Sequence, residues 1–168
     1  MAAAEVRVTA GRQKFLAALL TLASLGCASA TPPAPTPKTD SDEFQIESTV
    51  LAVYNVISGP AGRRDWDRFK DLFAPGARLI SVRKETTVMT PDEFVAKSTP
   101  YFQAHGFFER PVETRTERFR DIAQVYSRYE SRHASNDEKP FARGVNSFQL
   151  VRDGDRWRVL TILWTEEN

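Results

Sequence analysis

The apolar residues change period at Gly106, and that change limits what the chain can build. Upstream, Ile46, Val50, Val53 and Ile57 recur at helical spacing, with Leu51 and Tyr54 widening the stripe. Downstream the period is two, through 108–119, 122–133, 141–152 and 156–165. Arg120-Asp121, the polar run 134–140 and Asp153-Gly154-Asp155 separate these segments as turns or loops. Helices first and long hairpin-connected strands last give an α+β domain, not a βαβ alternation.

The first helix has Thr39 and Ser41 as candidate N-caps, with Asp40, Asp42 and Glu43 complementing its dipole. Gly59-Pro60-Ala61-Gly62 ends it. A short second helix starts near Asp65, puts Trp66, Phe69 and Phe73 on one face with Leu72 beside them, and stops at Pro75-Gly76. Two strands follow, 77–82 and 85–89. Thr90-Pro91-Asp92-Glu93 is a capping box with proline at the first helical position, which opens a third helix. Pro100 is expected to kink or divide that helix, because it removes an internal hydrogen bond.

Residues 1–30 read as a leader. Arg7, Arg12 and Lys14 precede the apolar run 15–25, which is shorter than the roughly 20 residues a bilayer span needs. Ala28-Ser29-Ala30 then has the small-x-small pattern of signal-peptidase cleavage. Gly26-Cys27 also resembles a lipoprotein signal with Cys27 as the lipidated residue, and both alternatives stay open. Either one delivers the domain outside the cytoplasm, to the periplasm or beyond, and leaves a signal peptide or lipid anchor as its link to a membrane. Residues 31–40, with Pro32, Pro33, Pro35 and Pro37, form an extended spacer, so the folded domain is expected over 41–168.

Charge and motifs exclude several classes. Residues 1–30 hold three of the 23 basic side chains and one of the 22 acidic ones, leaving 20 and 21 for the rest. A near-neutral domain lacks the basic surplus of a nucleic-acid module. Cys27 is the only cysteine, and His105 and His133 stand far apart with no ligand cluster, so neither a disulfide framework nor a metal site is expected. No glycine-rich phosphate loop and no G-x-S-x-G elbow occurs. No cofactor is implied.

The order of elements resembles the nuclear transport factor 2-like superfamily, in its SnoaL-like bacterial branch. The residues that carry the resemblance are Trp66-Asp67-Arg68-Phe69, the run Leu72-Phe73-Ala74-Pro75-Gly76-Ala77, and Thr90-Pro91-Asp92-Glu93-Phe94. The terminal segment from Gln149 to Val159 completes it. The resemblance spans about residues 43–168. It implies a cone-like curved sheet, mixed or antiparallel, wrapped against the three helices around an internal pocket, and homodimers through the open sheet face. It implies no particular reaction, since this fold hosts enzymes and binders alike.

Aromatic residues are abundant after residue 43, as an apolar small-molecule pocket requires. Trp66, Phe69, Tyr101, Tyr129, Asn146 and Trp164 are the ligand-binding candidates. Tyr129 shares a strand face with Ala123 and Val125, and Asn146 sits in the apolar row of Phe148 and Leu150, where a polar group needs a partner. Leu160, Ile162 and Trp164 are expected to point inward together. His105 and Glu130 are the candidate bases, each with a plain alternative as a helix-end residue or an ion-pair partner. The strand-borne acids are Glu109, Glu113, Glu117, Glu130 and Glu166. Three functions are compatible with these residues: a binding module for an apolar or aromatic small molecule, a cofactor-free isomerase or dehydratase, and a homodimeric scaffold with a filled interior.

Overall fold

In the computed structural model of the chain, residues 39–167 are described, and of residues 39–41 the backbone alone. The leader with Cys27, most of the proline-rich spacer and the candidate caps Thr39 and Ser41 lie outside that description.

Helix α1 (Thr39–Ile57) buries Ile46, Val50, Val53 and Tyr54 against the sheet, the stripe its spacing predicts. Its start is tied down by Asp42, which pairs with Arg152 and Arg118 and accepts from the Trp157 indole at 3.5 Å. Its end is closed by a side chain. The Arg64 guanidinium donates to the carbonyls of Ile57 (2.9 Å), Gly59 (2.9 Å), Pro60 (2.9 Å) and Gly62 (3.2 Å), and lies over the Phe102 ring. One planar fork thus satisfies the Ile57 carbonyl at the helix end and ties it to the loop carbonyls that follow. Arg64→Ala is expected to cost about 2 kcal/mol in urea unfolding, with Arg64→Lys recovering less than half, since a compact ammonium cannot span four acceptors. Equal stability of wild type and Arg64→Lys would contradict this role.

Helix α2 (Trp66–Asp71) is shorter than its apolar spacing suggests. Asp65 caps it, the Leu72 N–H closes it on the Phe69 carbonyl, and Phe73 already belongs to β1 (Phe73–Val82). Pro75-Gly76 therefore does not stop a helix. It sits in a bulge of β1, with Gly76 at φ 80°, where the register against the neighbouring strand shifts between Phe73 and Arg78. After β2 (Thr86–Met89), helix α3 (Pro91–Ala104) starts at the expected capping box and runs through Pro100 undivided. Phe102, buried against Trp66 and Phe107, anchors the turn beyond the proline.

The remaining strands are β3 (Phe108–Phe119), β4 (Ile122–Arg132), β5 (Ala142–Asp153) and β6 (Arg156–Glu166). Together the strands form one curved mixed sheet in the order β2-β1-β6-β5-β4-β3. Every neighbouring pair is antiparallel except β1 with β6, which is parallel. Bulges in β3 and β6 break the alternation. Leu160 is the extra residue of the β6 bulge and only half-buried, so the inward row is Trp157 and Val159, then Ile162 and Trp164. The inner face meets the helices. The outer face carries the paired row Tyr126, Ser147, Leu163, Ile80 and Val88, of which Tyr126, Leu163 and Val88 are exposed.

Candidate functional site

Between the inner face of the sheet and helices α1 and α3 lies a cavity of about 730 Å³. Its floor is apolar: Val53, Phe69, Leu79, Phe148 and Ile162 are buried there. Its mouth is marked by the exposed lining residues Arg83, Glu85, Lys97, Tyr101, Phe141 and Glu166. The walls are aromatic. Phe94 stacks on Phe69 at 5.3 Å and meets Trp164 edge-on at 6.3 Å, while Phe107 lies 5.1 Å from Phe102 and 6.1 Å from Phe141.

One polar cluster interrupts this surface. The Ser131 hydroxyl donates to Glu109 Oε2 at 2.8 Å, and the Asn146 side-chain amide donates to Glu109 Oε1 at 3.2 Å. The same amide nitrogen donates to the Tyr54 hydroxyl at 3.0 Å, and that hydroxyl is 2.7 Å from Ser127 Oγ. The cluster is held by four elements: Tyr54 comes from α1, Glu109 from β3, Ser127 and Ser131 from β4, and Asn146 from β5. Ser58 fixes the Glu109 backbone, accepting from its N–H at 3.0 Å and donating to its carbonyl at 3.1 Å. Tyr54, Glu109 and Asn146 line the cavity; Ser127 and Ser131 are sealed behind them.

Burial controls the titration of this cluster. It pushes the Glu109 carboxyl up from 4.5 to about 7, against the lowering effect of its Ser131 and Asn146 hydrogen bonds and with a small push from Glu166. Among the described residues no cation acts on Glu109 to reverse that. Tyr54 is pushed up to about 12 by the same burial. Glu109 as a whole residue is half-buried, as a group on a cavity wall is.

Of the ligand-binding candidates, Phe69, Tyr101, Asn146 and Trp164 line the cavity. Trp66 does not: it packs behind the wall on Phe69 and Phe102. Tyr129 points inward and is buried, yet its ring lies against Gly144 and not among the cavity-lining residues. Neither candidate base reaches the cavity. His105 ends α3, with its ring stacked on Tyr101 and Nδ1 3.1 Å from the Tyr101 carbonyl. Glu130 lies on the outer face among Arg110, Arg132 and Arg143, and the Arg132 contact above all holds its carboxyl below the usual range. The carboxyl that burial shifts on the cavity wall is Glu109 instead. Among the described residues no three His, Cys, Asp or Glu side chains gather as a metal site would need.

An arrangement of helices closing a curved mixed sheet over a cavity has counterparts among solved structures. A Nostoc punctiforme protein of unknown function with a cystatin-like fold aligns over 77% of this chain and 93% of its own, at TM-score 0.64 and 11% identity. An NTF2-like protein from Novosphingobium aromaticivorans aligns over 76% and 83%, at TM-score 0.63 and 13% identity. The fold is NTF2-like. A third such structure, from Streptomyces avermitilis and provisionally a dehydratase of the NTF2-like family, aligns over 77% and 98% at TM-score 0.61 and 14% identity. No family model and no curated protein matches the sequence, so the NTF2-like likeness is one of architecture.

Proposed function

We propose that this NTF2-like domain is an exported binding module that takes an apolar or aromatic small molecule into its cavity, with Glu109 as the polar anchor. The observation that carries the reading is the position of Glu109. A carboxyl stands on the wall of an aromatic cavity, hydrogen-bonded by Ser131 and Asn146 and without a counter-ion. A polar group placed so in an apolar pocket is how small-molecule sites fix orientation. Native mass spectrometry of the protein from an exporting host tests this. A small-molecule adduct is expected on the wild type and on Tyr129→Phe, and is expected to be lost from Asn146→Ala. A bare protein, with no thermal shift across a panel of aromatic ligands, would move the assignment to a scaffold.

A second reading makes Glu109 the base of a cofactor-free isomerase or lyase, and its pKa near 7 favours it. Such chemistry also needs a donor for the developing oxyanion. Asn146 has both N–H groups engaged and Tyr129 does not line the cavity, so neither of the two donors expected from the sequence serves that role. Binding is therefore the stronger reading. The exposed row of Tyr126, Leu163 and Val88 on the outer face supports pairing of two copies there, which the same mass spectrum would report as a dimer.

A further inference from the structure

The hydrogen-bonding capacity of the inner wall is one-sided. With Glu109 ionised, the Asn146 amide must turn its nitrogen toward the carboxylate, and its two N–H groups then go to Glu109 and Tyr54. The Tyr54 hydroxyl shares a 2.7 Å hydrogen bond with Ser127, which is wholly buried. The Ser131 hydroxyl goes to Glu109. Toward the cavity Glu109 and Asn146 therefore present only acceptors: the free lone pairs of Glu109 and the Asn146 carbonyl oxygen.

The charges agree in sign. Three carboxylates line the cavity, Glu85, Glu109 and Glu166, against two cations, Arg83 and Lys97. Arg83 is paired with Glu166 at the mouth, and Lys97 is an exposed mouth residue that forms no ion pair among the described residues. The other groups around Glu109 are Tyr54 from α1 and Tyr129 from β4, neither of them cationic. The Phe141 N–H donates to the Ser131 carbonyl at 2.9 Å, which brings the Phe141 and Phe107 rings to the Glu109 side of the cavity. Aromatic faces beside an uncompensated carboxylate are the surroundings an organic cation seeks.

We infer that the ligand is an amphipathic amine, whose protonated nitrogen docks on Glu109 and the Asn146 oxygen while its apolar body fills the aromatic walls. This rests on the cavity being a small-molecule site. An ammonium ligand selects ionised Glu109, so binding must release the proton that a carboxyl titrating near 7 still partly holds. A ligand carbonyl would select the protonated acid and take a proton up.

The test is calorimetry on the full chain with three probes of one shape: 4-phenylbutylammonium, 4-phenylbutan-1-ol and 4-phenylbutanoate. Titrations run from pH 6 to 8, in two buffers of different ionisation enthalpy. The ammonium is expected to bind at least tenfold more tightly than the alcohol at pH 8. Its affinity is expected to rise about tenfold from pH 6 to 8, with proton release near pH 7. Glu109→Gln is expected to abolish both the preference and the pH dependence. Proton uptake, or tighter binding of the alcohol or the butanoate, would overturn the amine and leave the cavity as a ligand site. Failure of all three probes at millimolar concentration would overturn the cavity reading itself.

Discussion

Glu109→Gln is expected to make the domain more stable at pH 8 by about 2 to 3 kcal/mol while changing little at pH 5. Burial raises the folded-state pKa of Glu109 from 4.5 to about 7. A carboxyl that holds its proton more tightly when folded favours the folded state fully below the unfolded value. That advantage is lost as the pH climbs through the folded value. The distance between 4.5 and about 7 corresponds to roughly 3 kcal/mol. Wild-type stability should therefore fall between pH 5 and 8, and the fall should be missing in the variant. Urea unfolding of both proteins at the two pH values checks this, and the difference between them cancels whatever other groups titrate in the window. A wild type as stable as the variant at pH 8 would mean that the carboxylate is solvated, and the site would lose its central group. Glutamine keeps the size of the side chain and an acceptor for Asn146, so the comparison isolates the charge. A carboxyl retained at such a cost, on a cavity wall where an amide is expected to be more stable, is the mark of a binding or reacting group.

The sequence reading reached Asn146 but passed over Glu109, and the reason is a bulge. In an unbroken strand with period two, Glu109, Glu113 and Glu117 share one face, and three acids in a row read as a solvated edge. Register shifts between Pro111 and Glu113, with Val112 as the extra residue, so Glu109 opposes Ser131 on the inner face. Glu113 and Glu117 oppose Arg128 and Gln124 on the outer face. Pro111 is the one signal that could have located the break, since proline cannot donate to a ladder and gathers at bulges. Asn146 was legible for the opposite reason: β5 is regular from Gly144 to Gln149, so its polar side chain stands out in a row with Phe148 and Leu150.

The same contrast runs through the fold. Helix α3 was fixed by local chemistry, because Thr90 and Glu93 satisfy each other's backbone N–H groups whatever the rest of the chain does. The hairpins were legible because turn residues and alternation agree. The end of α2 and the start of β1 were not, because the Leu72 carbonyl accepts from Val159, 87 positions later, and Phe73 pairs with the same residue. That contact draws the chain into the sheet before Pro75-Gly76, and it belongs to the tertiary structure alone. The parallel β1–β6 pairing is likewise a long-range choice that no local motif encodes.

Gly144→Ala is expected to lose at least about 3 kcal/mol and to lower Tm by roughly 10 °C. An added Cβ would stand 2.2 Å from the Thr165 carbonyl oxygen and 2.6 Å from the Tyr129 hydroxyl. The first neighbour is backbone in a paired strand, so relief requires β5 and β6 to separate locally. Tyr129→Phe in the same chain would remove the hydroxyl but leave the ring carbon Cζ at 2.8 Å, and should restore a minor part of the loss. Full restoration would locate the strain in the tyrosine alone. The consequence extends to the site, because Asn146 lies two residues along the same strand and takes its position from that pairing. A displacement of β5 carries the amide away from both Glu109 and Tyr54, and a buried amide left without partners costs more than the contacts it once made. The variant should therefore lose ligand adducts at temperatures well below its own Tm. An alanine variant with wild-type stability and undiminished binding would mean that the close approach of β5 to β6 at Gly144 does not set the position of the inner wall.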